Sequence, residues 1–250
     1  MNWHNRYLQQ AGWTRELRTY LFRKAGLSGA HRVLEVGCGT GAILCEGSLP
    51  DRDLYTRAAR YGVDLSAASL AECRNHAPGA FLTQGDALYL PYLDKTFDIS
   101  YCHFLLLWVD DPLRALHEMK RVTKAQGHIL ALAEPDYASR VDWPREISWL
   151  GKRQTESLIE QGADVGIGSR LADLFYQAGI SIFETGAIQN RGKDALTLEE
   201  WENEWSVLQA DLAGTVAREE IQEMKHLDEQ AWRRGEHEMI IPTYFAWGQV

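Results

Sequence analysis

Only four cysteines occur in 250 residues, and nothing in their placement points to a metal. Cys38, Cys45, Cys73 and Cys102 form no Cys-x-x-Cys and no Cys/His pairing at zinc-like spacing. Three of them lie in apolar or glycine-rich stretches that suit buried, reduced thiols. No metal is expected. A basic excess is missing too, with 26 Lys and Arg against 35 Asp and Glu and a net charge of −9. A protein that neutralises many phosphates needs a basic face, and the short cluster Trp232-Arg233-Arg234 sits among acids. A nucleic-acid partner is therefore not expected. No apolar run approaches the length of a membrane span, and Met1 to Arg6 carries no signal-peptide core. These absences predict a cytoplasmic protein without a membrane partner. Repeats and low-complexity tracts are also absent.

What remains is ordinary globular composition, 45% hydrophobic and 24% charged. A chain of this length can bury a sizeable core without staples. Residues 6–25 carry apolar positions at three- and four-residue spacing and predict one helix, ended by Gly26. Short apolar runs follow: Val33–Val36, Tyr61–Asp64, Phe81–Thr83, Phe97–Cys102 and Gly127–Ala133. Helical stretches lie between most of them, opening at Ala42, running from Ala67 to Asn75 and from Pro112 to Thr123. Strands alternating with helices predict a parallel, doubly wound sheet. After Glu134 the rhythm changes. Helices are expected over Arg145–Gln161 and near Ser169–Gln177, then a strand near Ile180–Ile188. Thr197-Leu198-Glu199-Glu200 reads as a capping box, and residues from Met239 to Trp247 as a last strand. The chain reads as a single domain, residues 1–250.

The chemistry concentrates at Gly37-Cys38-Gly39-Thr40-Gly41, directly after the buried run Val33-Leu34-Glu35-Val36. Glycine admits positive φ and close ligand approach, and such a turn exposes amide donors. Alone the pattern is ambiguous, because Gly37-x-Gly39-x-x-Ala42 also satisfies the dinucleotide fingerprint. Asp64 ends the second strand, where an acid accepts from both ribose hydroxyls. Dinucleotide proteins place an acid there as well. Gly85-Asp86-Ala87 follows the third strand, where an acid can accept from an exocyclic adenine amine. The run Leu90-Pro91-Tyr92-Leu93-Asp94-Lys95-Thr96-Phe97-Asp98 then leads into the fourth strand, and Asp111-Pro112 and Arg121-Val122-Thr123-Lys124-Ala125-Gln126-Gly127 come later.

Together these motifs resemble the class I S-adenosylmethionine-dependent methyltransferases, in particular the ubiquinone and menaquinone biosynthesis type, over residues 30–137. The resemblance implies an α/β, Rossmann-like, doubly wound, mostly parallel seven-stranded sheet with helices on both faces and helical cap insertions. It implies S-adenosyl-L-methionine as cofactor and a small-molecule methyl acceptor, in a monomer or homodimer. Residues 1–28 would form a lid helix, 29–137 the cofactor-binding core and 138–250 the substrate side. Glu35, Gly37, Gly39 and Gly41 would line the methionine and ribose side, Asp64 would hold the ribose, Leu65 would lie against the adenine, and Asp86 and Ala87 would meet the adenine edge. His103 is either a contact to the methionine portion or a satisfied core histidine. From the lid, Tyr7 and Trp13 are favoured to close over the cofactor; Arg18 is disfavoured.

Two departures matter. Many relatives carry a histidine pair after the fourth strand; here Leu106-Leu107-Trp108 stands there, which makes the floor more apolar and argues against quinone-precursor substrates. Gly47–Arg52 interrupts the expected helix after the glycine turn and reads as a surface turn. Strand carboxyl ends face the ligand crevice in such sheets, so Glu134, Asp136 and Tyr137 are the substrate-side candidates. Glu134 or Asp136 would take a proton or pair with a cation, with His103 as the other possible base. Alternatively, Glu134 is a surface residue and Asp136 a loop cap. Trp143, Trp149, Trp201, Trp205 and Trp232 would build an aromatic pocket or, for most of them, helix-packing core. The glycine-rich stretch 162–168 reads as a loop at the pocket rim. Two other functions fit less well: a non-catalytic cofactor-binding regulator, and an NAD-dependent oxidoreductase, for which no Tyr-x-x-x-Lys follows the fourth strand.

Overall fold

A computed structural model describes residues 3–45, 58–189, 197–214 and 216–250. The expected Gly47–Arg52 turn lies outside them. Strands β1 (Arg32–Val36), β2 (Ala59–Asp64), β3 (Phe81–Gln84), β4 (Phe97–Cys102) and β5 (Thr123–Pro135) pair in parallel. Two more complete the sheet, β7 (Ser181–Ile188) and β9 (Thr243–Gln249), with β9 antiparallel to both β5 and β7. The order is β3-β2-β1-β4-β5-β9-β7, a seven-stranded sheet among the described residues. The expected last strand is in fact two. Glu238–Ile240, β8, leaves the sheet and pairs with β6 (Val141–Trp143), and Pro242 separates it from β9. Proline supplies no amide to a ladder.

Period-two alternation explains the core. Along β5, Ile129 and Ala131 face one side and Leu130 and Leu132 the other, all fully buried. The first side is covered by α4 (Pro112–Val122) and α6 (Leu171–Gln177) through Leu116, Met119 and Phe175. The second is covered by α2 (Arg15–Lys24) through Leu21 and Phe22. Helix α4 starts where Asp111 Oδ1 accepts from the Arg114 amide at 2.9 Å, with Pro112 in the first turn.

Several motif residues do structural work in this frame. Asp98 Oδ2 accepts from the amides of His31 and Arg32 at 2.9 and 2.8 Å, and its Oδ1 accepts from Lys124 Nζ at 2.6 Å, tying β1, β4 and β5 together. Arg121 donates to the carbonyls of Leu90 and Tyr92 at 2.9 and 2.8 Å, to Asp94, and to Glu118. The Leu90–Asp98 run is therefore held down by Arg121, beside the cofactor motifs rather than among them.

The N-terminal segment forms two helices where one was expected: α1 (Trp3–Trp13) and α2, broken at Thr14. After the glycine turn, the Cys45 amide donates to the Gly41 carbonyl at 2.9 Å, one helical turn, and the rest of the helix expected from Ala42 lies outside the described residues. Helix α3 (Ala67–His76) is capped by Ser66, whose side chain accepts from the Ser69 amide. Beyond β5, α5 (Ser148–Glu160), α7 (Leu198–Asp211) and α8 (Arg218–Arg233) bury Trp201, Trp205 and Leu208 against Leu150 and Ile221. The Thr197 capping box starts α7 as expected. Both indole N–H groups of Trp201 and Trp205 donate to Asp228 Oδ2, at 2.8 and 2.6 Å, while His237 Nδ1 lies 2.6 Å from Asp228 Oδ1. These tryptophans are packing core, as is Trp149 at its edge, and Trp232 stacks on Trp201. Trp143 is 49% exposed. None of the described helices is long and apolar enough to cross a membrane.

Candidate functional site

A cavity of about 430 Å³ opens at the carboxyl ends of β1, β2 and β4. That is the crevice where open α/β sheets bind ligands, and the size suits a small molecule. One wall is strand ends and the turns after them: Glu35, Gly37, Gly39, Asp64, Leu65, Asp86, Ala87 and His103. The other is helical, with Trp3, Arg6, Tyr7 and Gln10 from α1, Gln154 and Leu158 from α5, and Val207 and Asp211 from α7.

The glycine turn wraps over the end of β2, since the Gly37 and Cys38 amides both donate to the Val63 carbonyl, at 2.8 and 3.0 Å. Gly37 has φ 73°, and a Cβ there would meet Leu105 Cδ1 at 2.6 Å, so only glycine lets the 103–108 loop close onto the turn. Asp64 completes the arrangement. Its Oδ2 accepts from the Gly39 amide at 2.7 Å and its Oδ1 from the Ser66 amide at 2.8 Å. Each oxygen keeps a lone pair for a ligand hydroxyl. Asp86 Oδ1 takes the Leu88 amide at 2.8 Å. Glu35 is 2% exposed and accepts from the Tyr101 hydroxyl at 3.2 Å; burial holds its carboxyl well above the usual range. Leu65, 71% exposed, offers an apolar face at the rim.

The N-terminal helices are seated by two histidines. His4 Nδ1 lies 2.8 Å from Thr40 Oγ1, and His103 Nε2 lies 2.9 Å from Thr14 Oγ1. Burial, with Arg18 nearby, pushes His103 well below the usual imidazole range, so the ring is neutral. Tyr7 covers the turn, with its ring 3.5 Å from where a Gly39 Cβ would sit. His4, Glu72 and His76 bring metal-capable atoms within 4.8 Å of one another. The two imidazoles, however, stack 3.4 Å apart at 8°, directing their lone pairs side by side rather than at one point. This group reads as packing between α1 and α3.

Four expected site residues fall elsewhere. Glu134 is fully buried beneath the cavity, accepting from the amides of Leu105 and Leu107 at 3.1 and 3.4 Å, so it anchors the 103–108 loop instead of facing a substrate. Burial pushes its carboxyl up to about 7. β5 is central in the sheet and buried on both faces from Ile129 to Pro135, so Glu134 is buried with it. Asp136 caps the turn at Tyr137–Ser139, accepting from the Ser139 amide at 3.0 Å, and is 1% exposed. Trp13 does not line the cavity and lies behind it, under the Arg6 guanidinium at 4.9 Å. Gly41 does not line the cavity either, because a Cβ there would strike Cys73 Sγ at 2.7 Å. Of the three candidates after β5, only Tyr137 lines the cavity. Leu107 and Trp108 line it and form the apolar floor expected of them. The 162–168 stretch does not reach the cavity; it packs under the floor, the Asp164 amide donating to the Leu107 carbonyl at 2.7 Å. Arg18 is fully buried and donates to the Ala11 carbonyl at 2.9 Å and Thr14 Oγ1 at 3.0 Å.

Residues 34–131 match the family model described as a methyltransferase domain. Over that segment, which runs from β1 into β5, the chain is similar to a methyltransferase domain. The donors present fit S-adenosylmethionine: an anchored carboxylate for a ribose diol, a bare glycine turn under an aromatic ring, and an acid beside Ala87 for an adenine edge. The ubiquinone/menaquinone biosynthesis C-methyltransferase of Desulfotalea psychrophila is 34% identical over 129 residues, covering 51% of each chain. The chain spans about half the length, or less, of the curated relatives it matches. A Bacillus halodurans protein provisionally named a methyltransferase superimposes with TM-score 0.61 at 16% identity, over 91% of this chain and 95% of its own. The [4+2]-cyclase SpnF superimposes with TM-score 0.53 at 20% identity, over 92% of this chain and 82% of its own. The methyltransferase fold thus extends well past the matched segment, and one fold hosts more than one named chemistry.

Proposed function

We propose that the chain is an S-adenosylmethionine-dependent methyltransferase that acts on a small-molecule acceptor in the cytoplasm, as a monomer or homodimer. The observation that carries this reading is the Asp64 carboxylate, fixed by two backbone amides and facing one cavity with Glu35, Asp86 and His103. Residues 1–28 serve as lid, 29–137 as cofactor core and 138–250 as acceptor side.

When bound, S-adenosylmethionine supplies a methyl group on a sulfonium. The protein's share is binding, alignment and exclusion of water. Asp64 accepts from the ribose hydroxyls, Asp86 and Ala87 bound the adenine edge, and Tyr7 closes the turn from above. Holding an acceptor in line contributes on the order of 7–11 kcal/mol. His103, neutral and tied to Thr14, orients the floor and lid relative to each other.

Calorimetric titration with S-adenosylmethionine and with NAD tests the reading, followed by transfer of a labelled methyl group to phenols, amines, thiols and quinones. Saturable binding of S-adenosylmethionine without NAD binding is expected, with label reaching at least one acceptor class. Binding of NAD alone would overturn the cofactor; binding without transfer to any acceptor would favour the non-catalytic regulator.

A further inference from the structure

The helical wall holds a carboxylate outside the motifs after β1, β2 and β3. Asp211 is the last residue of α7 and lines the cavity. Its Oδ2 accepts from Gln154 Nε2 at 2.7 Å. Gln154 Oε1 in turn accepts from Arg140, which is locked onto Asp142 by bonds of 2.7 to 3.0 Å. The Arg140 and Asp142 side chains are 6% and 9% exposed. Ser157 Oγ donates to the Asp211 carbonyl at 2.7 Å and pins the helix end. The carboxylate is thus held by a relay rooted in the protein interior, and among the described residues no hydrogen bond reaches its Oδ1. Burial raises the Asp211 carboxyl above its ordinary value. The same cavity is lined by Trp3, Trp108, Val109 and Leu158, which offer it apolar surface. Arg6 lines the same cavity and attracts the Asp211 carboxylate electrostatically without coming within ion-pair distance; the described bond from its guanidinium goes to Gln9 Oε1 at 3.1 Å.

We propose that Asp211 is the proton acceptor of the acceptor site, and that the acceptor is a neutral hydroxyl or amine on an apolar or aromatic body. This rests on the methyltransferase reading. A donor hydrogen is what an open, anchored carboxylate oxygen selects, and the Arg6 cation in the same cavity opposes a permanently charged ammonium. For a hydroxyl acceptor the step balances: Asp211 Oδ1 takes the proton, the oxygen lone pair forms the new bond to the methyl carbon, and the carbon–sulfur bond breaks with its electron pair remaining on a neutral thioether. Gln154 is a positioning residue, acting through the orientation of Asp211.

The test uses the full chain, with and without saturating S-adenosylhomocysteine, and three probes: 4-ethylphenol, its methyl ether 4-ethylanisole, and 4-ethyl-N,N,N-trimethylanilinium. Binding is read from amide NMR shifts. The phenol is expected to bind at least fivefold tighter than the ether and the cation. In Asp211→Asn the phenol should fall to within twofold of the ether, while S-adenosylhomocysteine affinity stays within threefold. Trp108→Ala should weaken phenol and ether alike, so loss of packing and loss of the proton acceptor read differently. Equal binding of all three probes, no phenol binding with or without S-adenosylhomocysteine, or a preference that survives in Asp211→Asn would overturn the proposal. Failure of S-adenosylhomocysteine itself to bind would count against the cofactor reading instead, and the phenol arm would still report on Asp211.

Discussion

The two walls of the cavity are built by different means. On the strand-end wall, groups come from short chain segments, and backbone amides fix the key side chain: Asp64 is held by Gly39 and by Ser66, its near neighbour. On the helical wall, side chains fix side chains across long sequence gaps. Gln154 and Asp211 are 57 residues apart, and the relay continues to Arg140 and Asp142. A wall made of backbone tolerates little change in residue type and leaves a compact signature in sequence. A wall made of helix faces can exchange its side chains without disturbing the sheet, which suits the half of the site that selects an acceptor.

The sharpest way to break this contrast is to attack the floor between the walls. Glu134→Ala leaves the buried Leu105 and Leu107 amides without an acceptor and should cost about 2–4 kcal/mol of stability. Glu134→Gln, which keeps one acceptor oxygen, should lose clearly less. Denaturant melts of both check this, and no loss in Glu134→Ala would contradict the anchoring role. Next comes Arg121→Ala, which should cost about 2–3 kcal/mol by freeing the Leu90–Asp98 run. The cofactor affinity of the folded fraction should change little, as calorimetry can show.

A smaller effect separates the regions by pH. His4 is lowered by burial and by His76, and His103 is lowered further by burial. Their folded forms resist protonation, so the stability they lend to the lid seam is present above the unfolded value of about 6.5 and falls as pH drops through their folded values. In the helical cap the sign reverses. Burial opposes the charge on His237, yet Asp228 more than offsets it, and burial raises Glu204 to about 7. Stability from these two is lost as pH rises through their folded values. Hydrogen exchange at pH 5.5 and 8.5, corrected for intrinsic rates, should show α1 opening at the acid end and α7–α8 at the alkaline end. The smallest effect belongs to Trp13→Ala, which should leave cofactor affinity within twofold, because the ring lies outside the cavity under Arg6.

Much of the strand-end wall was legible in the sequence. Glu35, the turn, Asp64, Asp86 and His103 sit where a strand stops and the chain must turn, and the local pattern says so. Glu134 and Asp136 follow the same logic but miss the cavity. The first is consumed by the Leu105 and Leu107 amides and the second by capping; neither shows in a one-dimensional pattern. On α1, helical period places Trp3, Arg6, Tyr7 and Gln10 on one face, and Thr14 continues it rather than Trp13. Arg6 could have been found from its four-residue spacing to Gln10 and three-residue spacing to Trp3. Asp211 had no local signal, because its role depends on where α7 packs.

The most direct test of the two-wall account is calorimetric titration of S-adenosylmethionine into Asp64→Ala and Asp211→Asn beside the unaltered protein. The account predicts a loss of roughly 30- to 150-fold, about 2–3 kcal/mol, for Asp64→Ala, and an affinity within threefold for Asp211→Asn. Similar losses in both, or none in Asp64→Ala, would contradict it.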